Sequence, residues 1–465
     1  MKVLLISANR EQTPYPVFPI GLSYLAGPLV AAGHRLEALD LCFEKDPERA
    51  VHEALERSVP GAVVFSIRNI DNVTWPASRS YLAGIQGVVA ACRGKVPVIL
   101  GGSGFSIMPA EILAFLDGDY GIAGEGEEIL PAVLAALERG EIPGPFPGLL
   151  ARGDATFAPP RPISRIGTPD RSLFLLDRYN REGGMANLQT KRGCPFSCVY
   201  CTYPLLEGNR VRLRPIPDII REIGDLADGS GIDYVYFVDD IFNYPPEFAA
   251  RLCRAMCDAR LAIKWSAFIN PGFIDRALLD VMVAAGCDAV EFGSESGSPA
   301  MLKNLGKSFG VEEVRTASLL CREAGVDFAH YILFGGPGEN EETVQETFAL
   351  MDEVAPVAVI AMTGIRIFPG TSLHRLALAE GVITPETELL EPVFYISPLI
   401  GERLGPLVTG EALKRRNWVA PGLEINMSEA MMEALRHFQG RGPLWKQVKR
   451  LSRTHIHPMS TQHIS

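Results

Sequence analysis

Residues 192–201 read Arg192-Gly193-Cys194-Pro195-Phe196-Ser197-Cys198-Val199-Tyr200-Cys201, and this stretch decides how the rest of the chain is read. Its three cysteines are separated by three residues and then by two. The other cysteines are scattered, so the pattern marks metal or redox chemistry rather than a disulfide framework. Three thiolates on one loop suit an iron–sulfur cluster. Four would saturate a cubane, whereas three leave one iron open to a cofactor or substrate. Structural zinc closes with four ligands, and no fourth Cys or His lies near this loop. Cys198 and Cys201 also lack the partner context of a thiol redox pair.

The loop follows a candidate strand, Asn187–Thr190. Further strand patterns lie at Tyr234–Val238, Ile263–Phe268, Ala289–Phe292, Phe328–Phe334 and Val357–Met362. Helical patterns separate them at Pro217–Leu226, Glu247–Ala259, Asp275–Ala285, Val311–Ala324 and Glu342–Val354. This alternation predicts a parallel barrel or partial barrel, with chemistry on the loops at the strand carboxyl ends.

Upstream, a second alternation occupies residues 1–140. Strands at Val3–Ser7, Leu36–Leu41, Ala62–Ile67, Val96–Leu100 and Tyr120–Ala123 alternate with helical patterns, predicting a doubly wound parallel sheet. Ligands of such sheets sit at the strand carboxyl ends. Gly101-Gly102 and Gly124-Glu125-Gly126-Glu127 fall there. Seven prolines between 143 and 169 predict a linker over 141–180, with a small hairpin near Gly148–Phe157. The barrel unit is expected over 181–380 and a mainly helical cap over 381–465, including an amphipathic helix at Ser428–Phe438 and a basic stretch at Trp445–Arg453 that packs or caps.

The 465 residues are 47% hydrophobic and 21% charged, which excludes wholesale disorder and fibrous folds. Lys+Arg is 44 against 55 Asp+Glu, a net charge of −11, which disfavours nucleic acid and anionic membrane as partners. No apolar run approaches a membrane span, and Met1–Ile6 lacks the apolar core of a secretory signal, so a cytoplasmic location is expected.

Cys-x3-Cys-x2-Cys at the first strand of a β/α barrel, with Tyr200 just before the last Cys, resembles the radical S-adenosylmethionine superfamily. The resemblance implies a [4Fe-4S] cluster on Cys194, Cys198 and Cys201, whose open iron chelates S-adenosylmethionine. It implies reductive cleavage to a 5′-deoxyadenosyl radical that abstracts hydrogen from an unactivated carbon. Tyr200 would lie near the adenine. Gly293-Ser294-Glu295-Ser296-Gly297 resembles a cofactor-contacting strand end, with Glu295 as acceptor; the alternative is a turn with Ser296 capping a helix. Phe334-Gly335-Gly336-Pro337-Gly338-Glu339 resembles the segment lining the adenine, and Phe368-Pro369-Gly370-Thr371 is another family signature. Where many members carry Gly-Gly-Glu-Pro, this chain has Val238-Asp239-Asp240-Ile241, and Asp239 or Asp240 can pair with the cofactor's ammonium group or cap a turn.

The front unit, through Phe18-Pro19-Ile20-Gly21-Leu22 and its glycine pairs, resembles the cobalamin-binding domain of one large subgroup. That subgroup includes methyltransferases acting on unactivated carbon or phosphorus. The Asp-x-His-x-x-Gly motif that ligates cobalt is missing. His34 reads as a surface turn residue and His52 as a solvated one.

Tyr203 is a candidate proton or hydrogen-atom donor beside the cluster, against simple ring packing. Arg212 and Arg214 alternate in a strand pattern and either clamp an anion or are solvated. Arg366 follows the last barrel strand and is expected at the cavity. His330 and Asn270 are weaker cavity candidates, and His455 and His457 a weak metal pair. The leading function is cobalamin-dependent methyl transfer to a small natural-product-type molecule, with an external flavodoxin- or ferredoxin-type electron donor. The alternatives are a cobalamin-free radical dehydratase, deoxygenase or epimerase acting on a sugar such as an aminoglycoside in antibiotic biosynthesis, and a non-catalytic binding protein with a structural metal.

Overall fold

A computed structural model describes residues 1–154, 156–423, 425 and 441–448. The expected helix at Ser428–Phe438 and the His455/His457 pair lie outside the described residues.

The front unit is a sheet of β1 (Lys2–Ser7), β2 (Arg35–Asp40), β3 (Ala62–Ser66), β4 (Val98–Gly101), β5 (Tyr120–Ile122) and β6 (Leu149–Ala151), in the order β2-β1-β3-β4-β5-β6. All pairs are parallel except β5–β6. The buried run of β1, with Val3, Leu4, Leu5 and Ile6 fully enclosed, is what a strand covered on both faces requires. The antiparallel edge strand β6 lies inside the segment expected as a linker, so the front unit extends past residue 140. It pairs with β5 instead of forming a separate hairpin. The helix Pro109–Leu116 was also not expected, although its buried Ile112, Leu113 and Leu116 follow helical spacing over only two turns.

The second unit begins with β7 (Ala186–Leu188). A two-stranded ribbon follows, β8 (Lys191–Arg192) with β9 (Arg212–Leu213), and the cysteine loop lies between its arms. Then come β10 (Tyr234–Phe237), β11 (Lys264–Ile269), β12 (Cys287–Glu295), β13 (Asp327–Phe334) and β14 (Ala358–Thr363). A second ribbon pairs β15 (Ile365–Arg366) with β16 (Phe394–Tyr395), and β17 (Trp418–Val419) closes the series. The main sheet is parallel and runs β17-β14-β13-β12-β11-β10-β7, a partial barrel with two edges. Six strands match the expected repeats; β17 comes from the tail expected as a helical cap. The helices Pro246–Asp258, Arg276–Ala284 and Val311–Ala324 cover the outer face through Leu252, Leu279 and Cys321.

His330 is a buried core residue bonded to Ser294 and Ser318. His34 is buried beside the N-terminal amine, not a surface residue, while His52 is exposed. Among the described residues no helix is long and apolar enough to cross a membrane.

Candidate active site

The cysteine loop is held from both sides. Gly193 has φ +92°, and a Cβ there would stand 2.3 Å from the Arg210 carbonyl oxygen, so only glycine fits. Its N–H donates to the Glu207 carboxylate at 2.9 Å, and the Cys194 N–H to the Gly208 carbonyl at 3.1 Å. The Val199 N–H donates to the Leu305 carbonyl at 3.0 Å. Cys194, Cys198 and Cys201 are free thiols lining one barrel cavity of about 490 Å³.

Burial pushes the Cys194 thiol up to about 11 and the Cys201 thiol up to about 12, so these sulfurs need a metal's charge to ionise at neutral pH. Among the described residues no three His, Cys, Asp or Glu side chains converge on a single-ion site. Among the described residues a mononuclear zinc site is therefore not formed, whereas a cubane takes each thiolate on a separate iron. The donor set fits a three-cysteine cluster.

Around the loop stand groups able to hold a polar cofactor. The Tyr200 hydroxyl donates to Glu295 Oε1 at 2.7 Å, and Lys307 Nζ lies 3.4 Å from the same oxygen. Glu295 ends β12 with φ +63°, a left-handed conformation uncommon for a non-glycine residue. Asp240 Oδ2 is buried without a partner, and burial, with Glu207 and Asp239 nearby, pushes its carboxyl above the ordinary carboxylate range until a cation answers it. An orphaned acceptor of this kind fits an ammonium ligand. Asp239 has a different duty. It accepts from the N–H and hydroxyl of Thr190 at 2.6 and 2.5 Å and pairs with Lys191, tying β10's end to the ribbon.

Other expected site residues are placed elsewhere. Ser296 is buried against Thr347 and accepts from the Ser298 N–H; it does not line the cysteine cavity. Gly335 and Gly336 donate their N–H groups to Glu339, Cβ atoms there would meet Leu404 and Met301, and neither glycine lines the cysteine cavity. Arg366 does not reach the cavity either. It pairs with Asp71 at 2.9 Å, both side chains 1% exposed. Arg214 is locked on Glu222 and Arg212 on Glu125, so neither is solvated nor free to clamp a ligand. Asn270 lines the cavity while capping the turn that starts at Pro271. Tyr203, 47% exposed, faces the cavity opening.

A second cavity of about 300 Å³ opens at the carboxyl ends of β1, β3, β4 and β5. Its walls include Gly101, Gly102, Ser103, Gly124 and Gly126. Gly102 has φ +103°, and a Cβ there would stand 2.6 Å from the Ile67 carbonyl oxygen. The four glycines and Ser103 thus place a floor of mostly bare backbone at the strand ends, where ligands of doubly wound sheets sit. Neither His34 nor His52 lines it. Val17, Phe18, Arg68, Asn187, Tyr203 and Val238 line both cavities, so the two adjoin. Glu125 and Glu127 of the crevice ion-pair with Arg192 at the start of the cysteine loop. Sequence reasoning missed these pairs: acidic residues in a glycine run and arginines beside cysteines carry no mark of being partners.

A thiol-lined barrel mouth adjoining a glycine crevice on a doubly wound domain defines a two-domain, cofactor-dependent enzyme. The radical SAM superfamily model matches residues 188–351 and the B12 binding domain model residues 6–134. An uncharacterized methyltransferase of Pyrococcus horikoshii is 25% identical over 426 residues, 88% of this chain and 91% of the relative. The tryptophan 2-C-methyltransferase of Streptomyces laurentii is 27% identical, covering 80% and 74%. The solved radical S-adenosylmethionine methyltransferase TsrM of Kitasatospora setae superposes with a TM-score of 0.86 at 24% identity, over 97% of this chain and 99% of that one. The chain thus carries a radical SAM domain and an N-terminal B12-binding domain, and is similar over most of its length to cobalamin-dependent radical S-adenosylmethionine methyltransferases. Its cofactors are a [4Fe-4S] cluster, S-adenosylmethionine and cobalamin.

Proposed function

We propose that the enzyme methylates a carbon of a small molecule held in the barrel cavity, with the cluster on Cys194, Cys198 and Cys201 and cobalamin in the front crevice. The six-residue wall common to both cavities carries this reading. A methyl carrier in the crevice and a substrate in the barrel would face each other across that wall. When bound, the cluster supplies the electron that cleaves S-adenosylmethionine, and cobalamin supplies the methyl group.

The chain's own residues do the rest. Asp240 offers its unpartnered oxygen to the ammonium of the amino-acid moiety. Glu295, held by Tyr200 and Lys307, offers an acceptor to a hydroxyl or amine. Asp239 fixes the strand end from which Asp240 projects. The Tyr203 phenol, protonated at neutral pH like any tyrosine, stands at the shared wall, where it can donate a proton. Phe18 and Val238, with Val17, present apolar surface to the same wall and limit water at the transfer point.

A small natural-product-type substrate is in keeping with the relative that methylates tryptophan at carbon 2. The electron would come from an external flavodoxin- or ferredoxin-type donor, and oxygen-sensitive cluster chemistry suits the reducing cytoplasm.

The test is anaerobic reconstitution with iron, sulfide, hydroxocobalamin and S-adenosylmethionine, then mass spectrometry of candidate metabolites. The expected product is heavier than its substrate by one methylene unit. A product lighter by one water, or an isomer of the substrate, formed with no need for cobalamin, would replace methyl transfer by dehydration or epimerisation.

A further inference from the structure

The far end of the barrel cavity holds a carboxylate, Glu291, whose charge no cation answers. It projects from the middle of β12 and is 2% exposed. The Tyr236 hydroxyl donates to Oε2 at 2.5 Å, and the Trp445 indole N–H to Oε1 at 2.6 Å. Both donors are neutral. Among the described residues no Lys, Arg or His ion-pairs with it; Lys446, next to Trp445, is taken by Asp288. Each carboxylate oxygen has room for a second hydrogen bond. Burial pushes the carboxyl up to about 6, so at neutral pH it is largely ionised.

The surroundings are aromatic. Tyr236, Phe268 and Tyr331 line the same end, with ring centroids 6.5 Å apart for Tyr236–Phe268 and 4.9 Å for Phe268–Tyr331. The floor comes from the C-terminal segment. Trp445 packs on Ala289, Ala329 and Ala358, three small residues on neighbouring strands that leave room for an indole. The segment Leu444–Gln447 thus plugs the barrel, and its indole reaches the cavity carboxylate.

An ionised carboxylate at the dry end of an aromatic cavity is a site for a cation. We propose that Glu291 anchors a protonated amine of the substrate, whose flat body packs against Tyr236, Phe268 and Tyr331, and that Trp445 positions the carboxylate. The proposal rests on the reading that this cavity takes the substrate. A charge-assisted hydrogen bond made inside low-dielectric walls favours the ammonium over a neutral group of the same shape, because the neutral group leaves the carboxylate unanswered.

The test is equilibrium dialysis of the full-length reconstituted holoenzyme against phenethylamine and phenethyl alcohol, which differ only in the charged group. Wild type is expected to bind the amine about tenfold tighter than the alcohol, a difference of about 1.4 kcal/mol. Glu291→Gln, with iron and cobalamin contents as in wild type, should lose that preference and keep its affinity for the alcohol. Glu291→Asp keeps the charge and should retain a reduced preference, which secures the test should the glutamine variant not fold. Trp445→Phe keeps the plug but removes the N–H, and should narrow the ratio without moving the alcohol. Equal wild-type affinities, absence of amine binding, or a full preference surviving in Glu291→Gln would overturn the assignment. Dialysis needs no turnover, so a failed amine anchor beside intact methylation rejects only the anchor, and lost methylation beside an intact preference rejects only the reaction.

Discussion

The Arg192 guanidinium lies 2.7 Å from the Glu125 carboxylate, joining the residue that opens the cysteine loop to the glutamate of the crevice's glycine run. Both side chains are under a tenth exposed, and Arg212 and the Ile163 N–H bond to the same carboxylate. The two cofactor cavities are therefore held in register by one buried cluster of opposite charges.

Glu125→Gln should break that register. One Glu125 acceptor oxygen remains for two guanidinium groups, while Arg192 keeps Glu127, so the loss should fall below the about 3–5 kcal/mol of breaking an isolated buried pair. The expected result is a lower urea midpoint for the apo-protein and weaker retention of hydroxocobalamin, with iron loading less affected. Because the pair is buried, added salt should change the difference between variant and wild type little. A variant with the wild-type midpoint and cobalamin affinity would show that the pair is idle.

The fold was largely legible because both sheets are parallel but for the one edge strand β6. Strands enclosed on both faces print as apolar runs such as Val3–Ile6, and the helices between them as longer amphipathic stretches. The cysteine loop was legible for a different reason: its ligands are adjacent in sequence. What could not be read was any partnership across the chain. Arg212, Arg214 and Arg366 look like free cations in one dimension, yet their partners Glu125, Glu222 and Asp71 are brought to them only by tertiary structure. The strand β17 was hidden in the same way, since two residues, Trp418 and Val419, carry no periodicity. Glu291 alternates with Ala289 and Gly293 on β12 and shows nothing of its depth in the barrel until Tyr236 and Trp445 converge on it.

Gly193→Ala isolates the loop's backbone from its sulfurs. At φ +92° an alanine is strained by about 1–3 kcal/mol, and its Cβ would also strike the Arg210 carbonyl. The loop must shift, carrying Cys194 with it. Reconstituted variant should bind clearly less iron than wild type while cobalamin retention is preserved, since the crevice glycines are untouched. Iron and acid-labile sulfide assays check this. Full iron content would mean that the loop adapts.

Arg366→Met separates structure from cofactor binding. The Arg366–Asp71 pair links a barrel ribbon to a front-unit loop and lines neither cavity. Its loss should lower stability by about 3–5 kcal/mol, because Asp71 is left buried and charged. In the folded fraction, affinity for S-adenosylmethionine should equal that of wild type by equilibrium dialysis. A selective loss of that affinity at unchanged stability would return Arg366 to the cofactor site.

Glu339 sets a pH dependence of stability whose sign follows from its burial. The side chain is fully buried; Oε2 accepts the Gly335 and Gly336 N–H groups, while Oε1 has no partner. Burial raises the carboxyl to about 7 against an ordinary 4.5, despite the opposing pull of those two backbone bonds. The folded state thus holds a proton that the unfolded state releases. The contribution to stability is fully present below pH 4.5 and is lost as pH rises through 7, at most about 3 kcal/mol in total. Glu339→Gln keeps an oxygen for the two N–H groups and removes the titration. Urea midpoints of apo-protein measured across that window should fall with pH in wild type more than in the variant, so that the variant gains relative stability toward neutral pH. Parallel curves for the two proteins would show that Glu339 is ionised in the folded state throughout.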